Sequence, residues 1–323
     1  ERRRPMFEFP KPGFAYDYQV PAEVEALWQY RDTKPGRAIP AKAPDRLLVA
    51  TWNIANLGVQ DRRDPDYRLI AELLTWFDVV AVQEVNDNLR GLRAIQQHLP
   101  PAYRLLTSDP GGNKERLAFL YDTGKITLLE KVGEVAIPPS DLKQIALPGT
   151  QQRFDGFDRS PYLAAFQAGS FHFLLVNVHL YFGSDSKISK NRRNLEAFAV
   201  GRWADLRRKS KYAYTHDIVV VGDFNLPKAE PGDPTYVALT KRGLHLPEHS
   251  TLIGSSIAND SKYDQIAFFP GETQAEYTGR SGVFDLDGAL FKTLWETRGQ
   301  EDFLTYMRYY ISDHRPLWAQ FRV

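Results

Sequence analysis

The sequence contains no cysteine. Disulfide bonds, thiolate catalysis and cysteine-ligated zinc are therefore excluded. The sequence also lacks any apolar run that approaches the roughly 20 residues needed for a membrane-spanning helix. Its formal net charge is only +1, so no overall positive field indicates a nucleic-acid partner, although a local basic patch would not show in this sum.

Composition places the chain among ordinary soluble globular proteins, with 323 residues, 43% of them hydrophobic and 25% charged. The sequence begins at Glu1 rather than at a methionine, which fits a removed signal peptide and a trimmed sequence equally well. We therefore expect a bacterial-type soluble protein that is either cytoplasmic or secreted after signal removal. No obligate protein partner is evident.

Residues 1–46 differ from the rest of the chain, because prolines, aromatics and charges alternate there. We interpret this stretch as an arm that lies across the protein with its aromatic residues as anchors. Pro21 to Arg31 predicts a short helix within it. An alternative is a nucleic-acid-binding arm whose phosphate contacts are Arg2, Arg3 and Arg4. Residues 47–323 then form a single domain.

That domain alternates apolar strands with amphipathic helices. Short apolar runs predict strands at 47–52, 78–82, 116–121, 162–166, 171–178, 217–221, 263–269 and 317–323. Helical spacing predicts helices at 67–77, 89–99, 189–211 and 234–244, and a helical or turn-like stretch at 301–310. Two strand–helix–strand halves predict an α/β sandwich of two packed sheets with helices outside, whose strand ends meet at one rim.

The helix predicted at 189–211 has basic residues crowded at both ends: Lys187, Lys190, Arg192, Arg193, Arg207, Arg208, Lys209 and Lys211. A run of charge of this kind is typical of a solvated helix face. It also fits a surface that meets a polyanion, and the sequence leaves both interpretations open.

Polar side chains lie at the ends of the predicted strands: Asn53, Glu84, His179, Asp223, Asn225, Asp264, Asp313 and His314. Carboxylate and amide oxygens without thiolates suit a hard divalent ion such as Mg²⁺, Mn²⁺ or Ca²⁺. Histidines beside such an ion suit proton transfer, and the combination suits hydrolysis of a phosphoester. For Asp223 and Asn225 alone, an Asx turn that caps the strand is the alternative.

Six short motifs carry a family resemblance: Thr51-Trp52-Asn53-Ile54, Gln83-Glu84-Val85, Asn177-Val178-His179-Leu180, Gly222-Asp223-Phe224-Asn225, Tyr263-Asp264-Gln265-Ile266 and Ser312-Asp313-His314-Arg315-Pro316. In this order they resemble the endonuclease/exonuclease/phosphatase superfamily, over nearly all of the chain from 47 to 323. The chain most resembles the deoxyribonuclease I-like branch, because Lys114-Glu115-Arg116 and Arg159-Ser160-Pro161 have counterparts there. The resemblance implies a four-layered α/β sandwich of two packed mixed β-sheets flanked by helices.

The resemblance also implies where a metal ion binds. Glu84 is similar to the principal ligand of that superfamily, with Asn53 and Asp313 beside it. The implied ion is Mg²⁺, with Mn²⁺ or Ca²⁺ as alternatives. Asp223 and Asn225 match the pair that orients water and phosphate, so Asn225 is expected both to take part in catalysis and to contact substrate.

Two histidines match the residues that handle protons in the superfamily. The resemblance implies that Asp264 holds His314 and that Glu115 holds His179, since a carboxylate fixes the tautomer of its imidazole. The sequence leaves open which pair is the acid and which the base. Arg159 is expected either to contact a phosphate or to form a surface ion pair.

Together these implications predict a divalent-metal-dependent phosphodiesterase that hydrolyses nucleic acid, and specifically a DNA endonuclease. The alternative is a sphingomyelinase-like phospholipid hydrolase or another small-phosphodiester hydrolase with the same site. A third interpretation is a binding protein that has kept the fold and lost the chemistry. Asn86 and Asn113 stand where the resemblance implies a groove-binding arginine and tyrosine, which weakens the expectation of a duplex substrate.

Overall fold

The computed structural model describes residues 8–323, so the predicted phosphate contacts of Arg2, Arg3 and Arg4 lie outside the described residues. Two mixed β-sheets of six and five strands pack against each other, and helices cover their outer faces. The predicted α/β sandwich with two packed sheets is confirmed. Among residues 8–323, none of the helices has the length and apolar character to cross a membrane.

The strands are β1 Arg46–Leu57, β2 Val79–Asn86, β3 Tyr103–Thr107, β4 Glu115–Asp122, β5 Thr127–Glu134, β6 Tyr162–Ala168, β7 Phe171–His179, β8 Ile218–Asp223, β9 Asp264–Phe268, β10 Tyr277–Val283 and β11 Leu317–Arg322. The helices are α1 Val20–Thr33, α2 Asp64–Thr75, α3 Arg90–Gln96, α4 Pro139–Leu142, α5 Lys187–Arg208, α6 Pro234–Thr240, α7 Pro270–Thr273 and α8 Lys292–Tyr310. Short 3₁₀ turns occur at Gly112–Lys114 and Leu286–Gly288.

The first sheet has the strand order β10-β11-β1-β2-β4-β3, and the second has β5-β6-β7-β8-β9. One parallel pair lies near the centre of each sheet: β1 with β2, and β7 with β8. In each pair a helix, α2 or α5, connects the two strands, as a parallel crossover requires. The carboxyl ends of both pairs therefore reach the same rim of the sandwich.

Alternation along the strands builds the layers. In β1, Leu47 and Val49 face the second sheet, whereas Leu48, Ala50 and Trp52 face the helices. Successive strand side chains point to opposite faces, so a strand buried on both sides reads as one continuous apolar run. On the far side of the second sheet, the apolar stripe of α5 completes the fourth layer.

The N-terminal stretch packs on the helices outside the first sheet. Phe14, Tyr16 and Tyr18 contact the core cluster there, and the Tyr18 hydroxyl donates to Asp66 at 2.7 Å. The helix expected between residues 21 and 31 is present as α1. The division of the chain at residue 46 stays a prediction.

Three strands, the short helices α4 and α7, and the first half of α8 were not expected from the sequence. The strands β3, β5 and β10 each lie at an edge of their sheet. Helix α8 begins at Lys292 and bends at Gly299, where φ is +79°, so only its second half coincides with the predicted stretch at 301–310.

Candidate active site

The end of β8 forms the middle of the site. At Gly222, φ is +138° and an added Cβ would lie 2.0 Å from the carbonyl oxygen of Val178, so only glycine allows β7 and β8 to approach this closely. The chain then turns, because Asp223 Oδ1 accepts the N–H of Asn225 at 2.8 Å and Asn225 has a φ of +51°. The Asx-turn interpretation is thus correct for one carboxylate oxygen. Asn225 lies outside the strand, and its Nδ2 donates to the carbonyl of Leu180 at 2.7 Å.

The other oxygen of Asp223, Oδ2, is the point on which the site converges. Asn53 Nδ2 donates to it at 3.0 Å, His179 Nε2 lies 3.5 Å away and His314 Nε2 lies 4.0 Å away. Burial would raise the pKa of Asp223, but the two imidazoles outweigh burial and hold the pKa below its ordinary value. Two histidines from distant parts of the chain therefore face one buried carboxylate oxygen.

The first imidazole, His179, is held by Glu115 as expected, through a direct contact between its Nδ1 and Glu115 Oε1. Glu115 also accepts the N–H of Glu84 at 3.2 Å, and its Oε2 lies 3.4 Å from Arg159 Nη1. Burial opposes ionisation of Glu115, but Arg159 and then His179 outweigh it and lower the pKa of the carboxyl. Burial and Arg159 both lower the pKa of His179, yet Glu115 and Asp223 raise it above its ordinary value.

Arg159 lies behind this pair and is 5% exposed. Its Nε donates to the carbonyl of His179 at 2.9 Å, and its Nη2 donates to the carbonyl of Leu180 at 3.0 Å. The alternative of a surface ion pair is wrong, because the guanidinium is buried and anchored to the end of β7. The predicted contact of Arg159 with a phosphate stays a prediction.

The second imidazole, His314, is held by Asp264, with 2.6 Å between Nδ1 and Oδ2. Burial alone would lower the pKa of His314, but Asp264 outweighs burial and places the pKa well above its ordinary value. The other oxygen, Asp264 Oδ1, is buried and has no hydrogen-bond partner among residues 8–323. Both predicted histidine–carboxylate pairs are therefore present in the geometry.

Asn53 and Glu84 do not end their strands, and this part of the prediction is wrong. The β1–β2 register shifts between Asn53 and Leu57, and the β2–β4 register shifts between Val82 and Val85. Glu84 lies within the second irregularity with a φ of +59°. Bulges of this kind re-aim a side chain without ending the sheet, and here they point both polar groups toward the rim.

The predicted metal ligands fit a hard cation. Glu84 Oε1 accepts from Asn53 Nδ2 at 3.0 Å, and its Oε2 accepts the N–H of Asn56 at 2.7 Å. Burial, followed by the neighbouring Glu115 and, more weakly, Asp313, raises the pKa of Glu84. Asn53 Oδ1 is buried, and no described residue forms a hydrogen bond with it. This amide oxygen and the closely spaced carboxylates beside it are the kind of oxygen ligands that Mg²⁺ binds.

A second arrangement of possible ligands lies deeper. One atom each from Asp223, Asp264 and His314 lie within 4.8 Å of one another. However, His314 Nδ1 and Asp264 Oδ2 already share a hydrogen bond, which an ion at that place would break. An ion held by these particular atoms would therefore compete with a hydrogen bond that the structure contains.

Supporting residues that the sequence did not reveal hold these groups in place. Asn177 Nδ2 donates to the carbonyls of Val82 at 3.1 Å and Ala118 at 2.9 Å, and its Oδ1 accepts from Gln83 at 2.7 Å, so it joins the two sheets. Ser312 Oγ donates to the carbonyl of Asn53 at 2.7 Å. Asn177, Gln83 and Ser312 stand inside the sequence motifs, which was the available signal, but their partners are mostly main-chain atoms of distant segments.

Comparisons with known proteins show which family and which fold the chain shares. The model of the Endonuclease/Exonuclease/phosphatase family matches residues 50–314. No curated protein sequence matches the chain closely enough to count as a relative.

Three solved structures share the fold. An endonuclease/exonuclease/phosphatase family protein from Bacteroides thetaiotaomicron is 21% identical, with 86% of this chain and 95% of that chain covered and a TM-score of 0.58. The mannosyl-6-phosphatase of Bacteroides thetaiotaomicron is 20% identical, with coverages of 85% and 99% and a TM-score of 0.55. TDP2 from D. rerio, complexed with a single-strand DNA product, is 15% identical, with coverages of 86% and 99% and a TM-score of 0.55.

At these identities the solved structures establish the fold alone, which is the deoxyribonuclease I-like sandwich expected from the motifs. The family match extends over most of the sequence and includes Asn53, Glu84, Asp223 and His314. The predicted family is therefore confirmed: the chain belongs to the Endonuclease/Exonuclease/phosphatase family, whose members are phosphoester hydrolases.

Proposed function

We propose that this protein is a divalent-metal-dependent phosphodiesterase that hydrolyses nucleic acid, and that it acts as a DNA endonuclease. The observation that carries the proposal is the convergence of two carboxylate-backed imidazoles on Asp223 Oδ2. Hydrolysis of a phosphodiester needs a base that takes a proton from water and an acid that protonates the leaving oxygen. The two imidazoles that face Asp223 Oδ2 can supply both the base and the acid.

Each histidine has one nitrogen fixed and one nitrogen directed into the site. In His179 and His314 the Nδ1 atom is engaged by Glu115 or Asp264, which leaves Nε2 facing Asp223. The carboxylate sets the tautomer and stabilises the charged imidazole. In the proposed reaction Asp223 orients the attacking water, and Nε2 of each histidine accepts or donates a proton.

The remaining site residues position the substrate and the ion. Asn53, Glu84 and Asp313 would hold Mg²⁺, or Mn²⁺ or Ca²⁺ in its place. When bound there, the ion neutralises the phosphate oxygens and the leaving group. Asn225 lies beside Asp223 in the turn, where it would contact the phosphate. Arg159 acts as a positioning residue, because it holds the end of β7 that carries His179.

Nucleic acid is the favoured substrate class, and DNA is favoured within it. The D. rerio structure with a single-strand DNA product shows that this fold accommodates a DNA strand in that protein. The mannosyl-6-phosphatase shows that the fold also serves a sugar phosphate in another, so substrate choice depends on the surface around the site. Asn86 and Asn113 carry side chains too short to reach into the groove of a duplex.

Cleavage of closed circular DNA tests the proposal directly. With Mg²⁺, we expect single-stranded and supercoiled circles to be opened, and we expect chelation of the metal to stop the reaction. Asp223→Ala and His314→Ala should each lose at least about 10³-fold in rate. His172→Ala is the matched control, since His172 is exposed on the same strand as His179.

Two outcomes would contradict the assignment. Full cleavage activity in Asp223→Ala or His314→Ala would refute the proposed roles. Hydrolysis of sphingomyelin without cleavage of any DNA circle would support the phospholipid alternative in place of the nuclease.

A further inference from the structure

The loop between β7 and α5 leaves the catalytic rim directly after His179 and presents two aromatic residues. Tyr181 is partly buried, and Phe182 is 44% exposed. Phe182 lies three positions after His179, so the two Cα atoms lie at most about 11 Å apart. An exposed ring this close in the chain to a proposed catalytic histidine is within reach of a nucleotide next to the reacting phosphate.

The loop has a defined shape. Gly183 has a φ of +67°, and an added Cβ would lie 2.4 Å from the Tyr181 ring, so this tight turn requires glycine. Ser186 caps α5 by accepting the N–H of Ser189 at 3.2 Å, and the hydroxyls of Ser184 and Ser189 lie 3.1 Å apart. These contacts fix both ends of the segment that carries Phe182.

A buried arginine connects this loop to the catalytic turn. Arg193 is 3% exposed; its Nη1 donates to the carbonyl of Asn225 at 3.0 Å, and its Nη2 donates to the carbonyl of Phe182 at 3.2 Å. The guanidinium carbon lies 5.1 Å from the centre of the Phe182 ring. Phe182 is thereby held at a fixed place relative to Asn225.

The neighbouring arginine repeats this arrangement. The guanidinium of Arg192 lies 4.1 Å from the centre of the Tyr181 ring, and its Nη2 donates to Asp158 at 3.1 Å. The loop that follows His179 therefore carries two aromatic rings, each with a guanidinium group beside it. Aromatic rings that stack bases, interleaved with arginines, are the usual means of binding a single strand.

We propose that Phe182 stacks an unpaired nucleobase adjacent to the reacting phosphate, so that the substrate is single-stranded nucleic acid. The inference rests on the proposed nuclease function and narrows its substrate. Bases within a duplex are already stacked on each other, whereas an unpaired base can turn its face to a protein ring. Arg192 and Arg193 hold the two rings in place, since their guanidinium groups are already bound to Asp158 and to the carbonyls of Asn225 and Phe182.

A lipid surface fits this rim less well. The exposed apolar residues at this end of α5 are Phe182 and Ile188, which is 72% exposed. Interfacial binding of a lipid surface depends on a larger buried apolar area. One flat ring held between an arginine and the catalytic turn matches the face of a single base.

Binding to a DNA strand that resists hydrolysis tests the inference apart from catalysis. The probe is a fluorescein-labelled 12-nucleotide phosphorothioate DNA strand, titrated with the full chain in the presence of Mg²⁺ and followed by fluorescence anisotropy. Phe182→Ala should bind about tenfold more weakly, and Phe182→Trp should restore the affinity, because one stacked base typically contributes this much. Tyr212→Ala is the matched control, since that ring is 82% exposed beyond the other end of α5 and should leave the affinity unchanged.

A strand of the same length without bases separates stacking from charge. Phe182→Ala should weaken binding of the base-bearing strand and leave binding of the abasic strand unchanged. Equal weakening of both strands, or wild-type affinity in Phe182→Ala, would overturn the inference. So would weaker binding of Phe182→Ala to sphingomyelin vesicles with unchanged binding to DNA. Hydrolysis of methyl 4-nitrophenyl phosphate by the wild-type protein with Mg²⁺ tests the proposed function separately, because that compound carries no base.

Discussion

The two histidine–carboxylate pairs of the site differ in what surrounds each carboxylate. Glu115 contacts His179, accepts the N–H of Glu84 and lies 3.4 Å from Arg159. Among residues 8–323, Asp264 forms an ion pair only with His314, and its Oδ1 is buried without a hydrogen-bond partner. The first pair belongs to a network of charges, whereas in the second, isolated pair the carboxylate has His314 as its one cation.

Both histidines are also held through their backbone, because the carbonyl of His179 accepts from Arg159 Nε at 2.9 Å and that of His314 accepts from Trp52 Nε1 at 2.8 Å. The difference therefore lies at the carboxylates. Glu115 keeps Arg159 and the N–H of Glu84 beside it when its own charge is removed, whereas Asp264 keeps no cation other than His314 among the described residues. Loss of a carboxylate charge should therefore affect the isolated pair more strongly.

The largest expected effect is on the rate of catalysis. Asp264→Asn should lower kcat for DNA cleavage by about 10⁴-fold, as when a catalytic histidine loses the carboxylate that sets its tautomer. Glu115→Gln should lower kcat by only about 10²-fold, because the N–H of Glu84 and the guanidinium of Arg159 still orient the replaced side chain beside His179. Asp217→Asn is the control, since Asp217 lies just before the opposite end of β8 and accepts a hydrogen bond from Thr273 at 2.9 Å. Equal losses in the two site variants would contradict the distinction between network and isolated pair.

The second effect is on stability. His314→Gln leaves Asp264 buried without its cation and should lower the free energy of unfolding by about 3 kcal/mol. His179→Gln leaves Glu115 beside Arg159 and should lower it by only about 1 kcal/mol. Urea denaturation of both variants gives the comparison. The double variant Asp264→Asn with His314→Gln should recover most of the loss, and failure to recover it would point to packing and not to charge.

The third effect concerns a carboxyl that supports the network from α5. Glu196 accepts the N–H of Asp158 at 3.0 Å and that of Tyr181 at 2.9 Å, and its Oε1 lies 3.6 Å from Arg192 Nε. Burial nevertheless raises the pKa of Glu196 to about 7. The folded protein then binds a proton between about pH 4.5 and pH 7 that the unfolded chain has released.

Stability from this group should therefore fall as pH rises through that interval, by up to about 3 kcal/mol. Glu196→Gln lacks the titrating group, so the difference in unfolding free energy between variant and wild type should shift in favour of the variant by that amount. Urea denaturation at pH 4.5, 6 and 8 measures the shift, with exposed Glu301→Gln as the control. A difference that stays constant with pH would show that Glu196 ionises normally.

The sequence predicted the central strands better than the edges. The central strands β1, β2, β7 and β8 are buried on both faces. Each therefore appears in the sequence as a continuous apolar run, which predicts a strand. The strands that were missed, β3, β5 and β10, are edge strands. In β5 the side chains alternate between exposed and partly buried, so the apolar signal is weak there. The first half of α8 was missed because Gly299 interrupts the helical pattern.

Within the site, the types of the functional residues were easier to predict than the backbone geometry that positions them. The residue types of Asp223, Glu84 and the two histidines already indicate hydrolysis beside a metal. The bulges at Asn53 and Glu84 were not predictable, because a local irregularity depends on the register with a neighbouring strand. The same applies to Arg159, whose main-chain partners on β7 are far from it in sequence.

The site draws on both sheets, which Asn177 joins through its contacts with Val82 and Ala118. His179 and Asp223 come from the second sheet, and Asn53 and Glu84 come from the first. Neither sheet alone carries all the residues of the site, so activity requires both sheets to be packed in register. The return of activity during refolding therefore reports the docking of the two sheets, whereas a far-ultraviolet signal reports the formation of strands and helices.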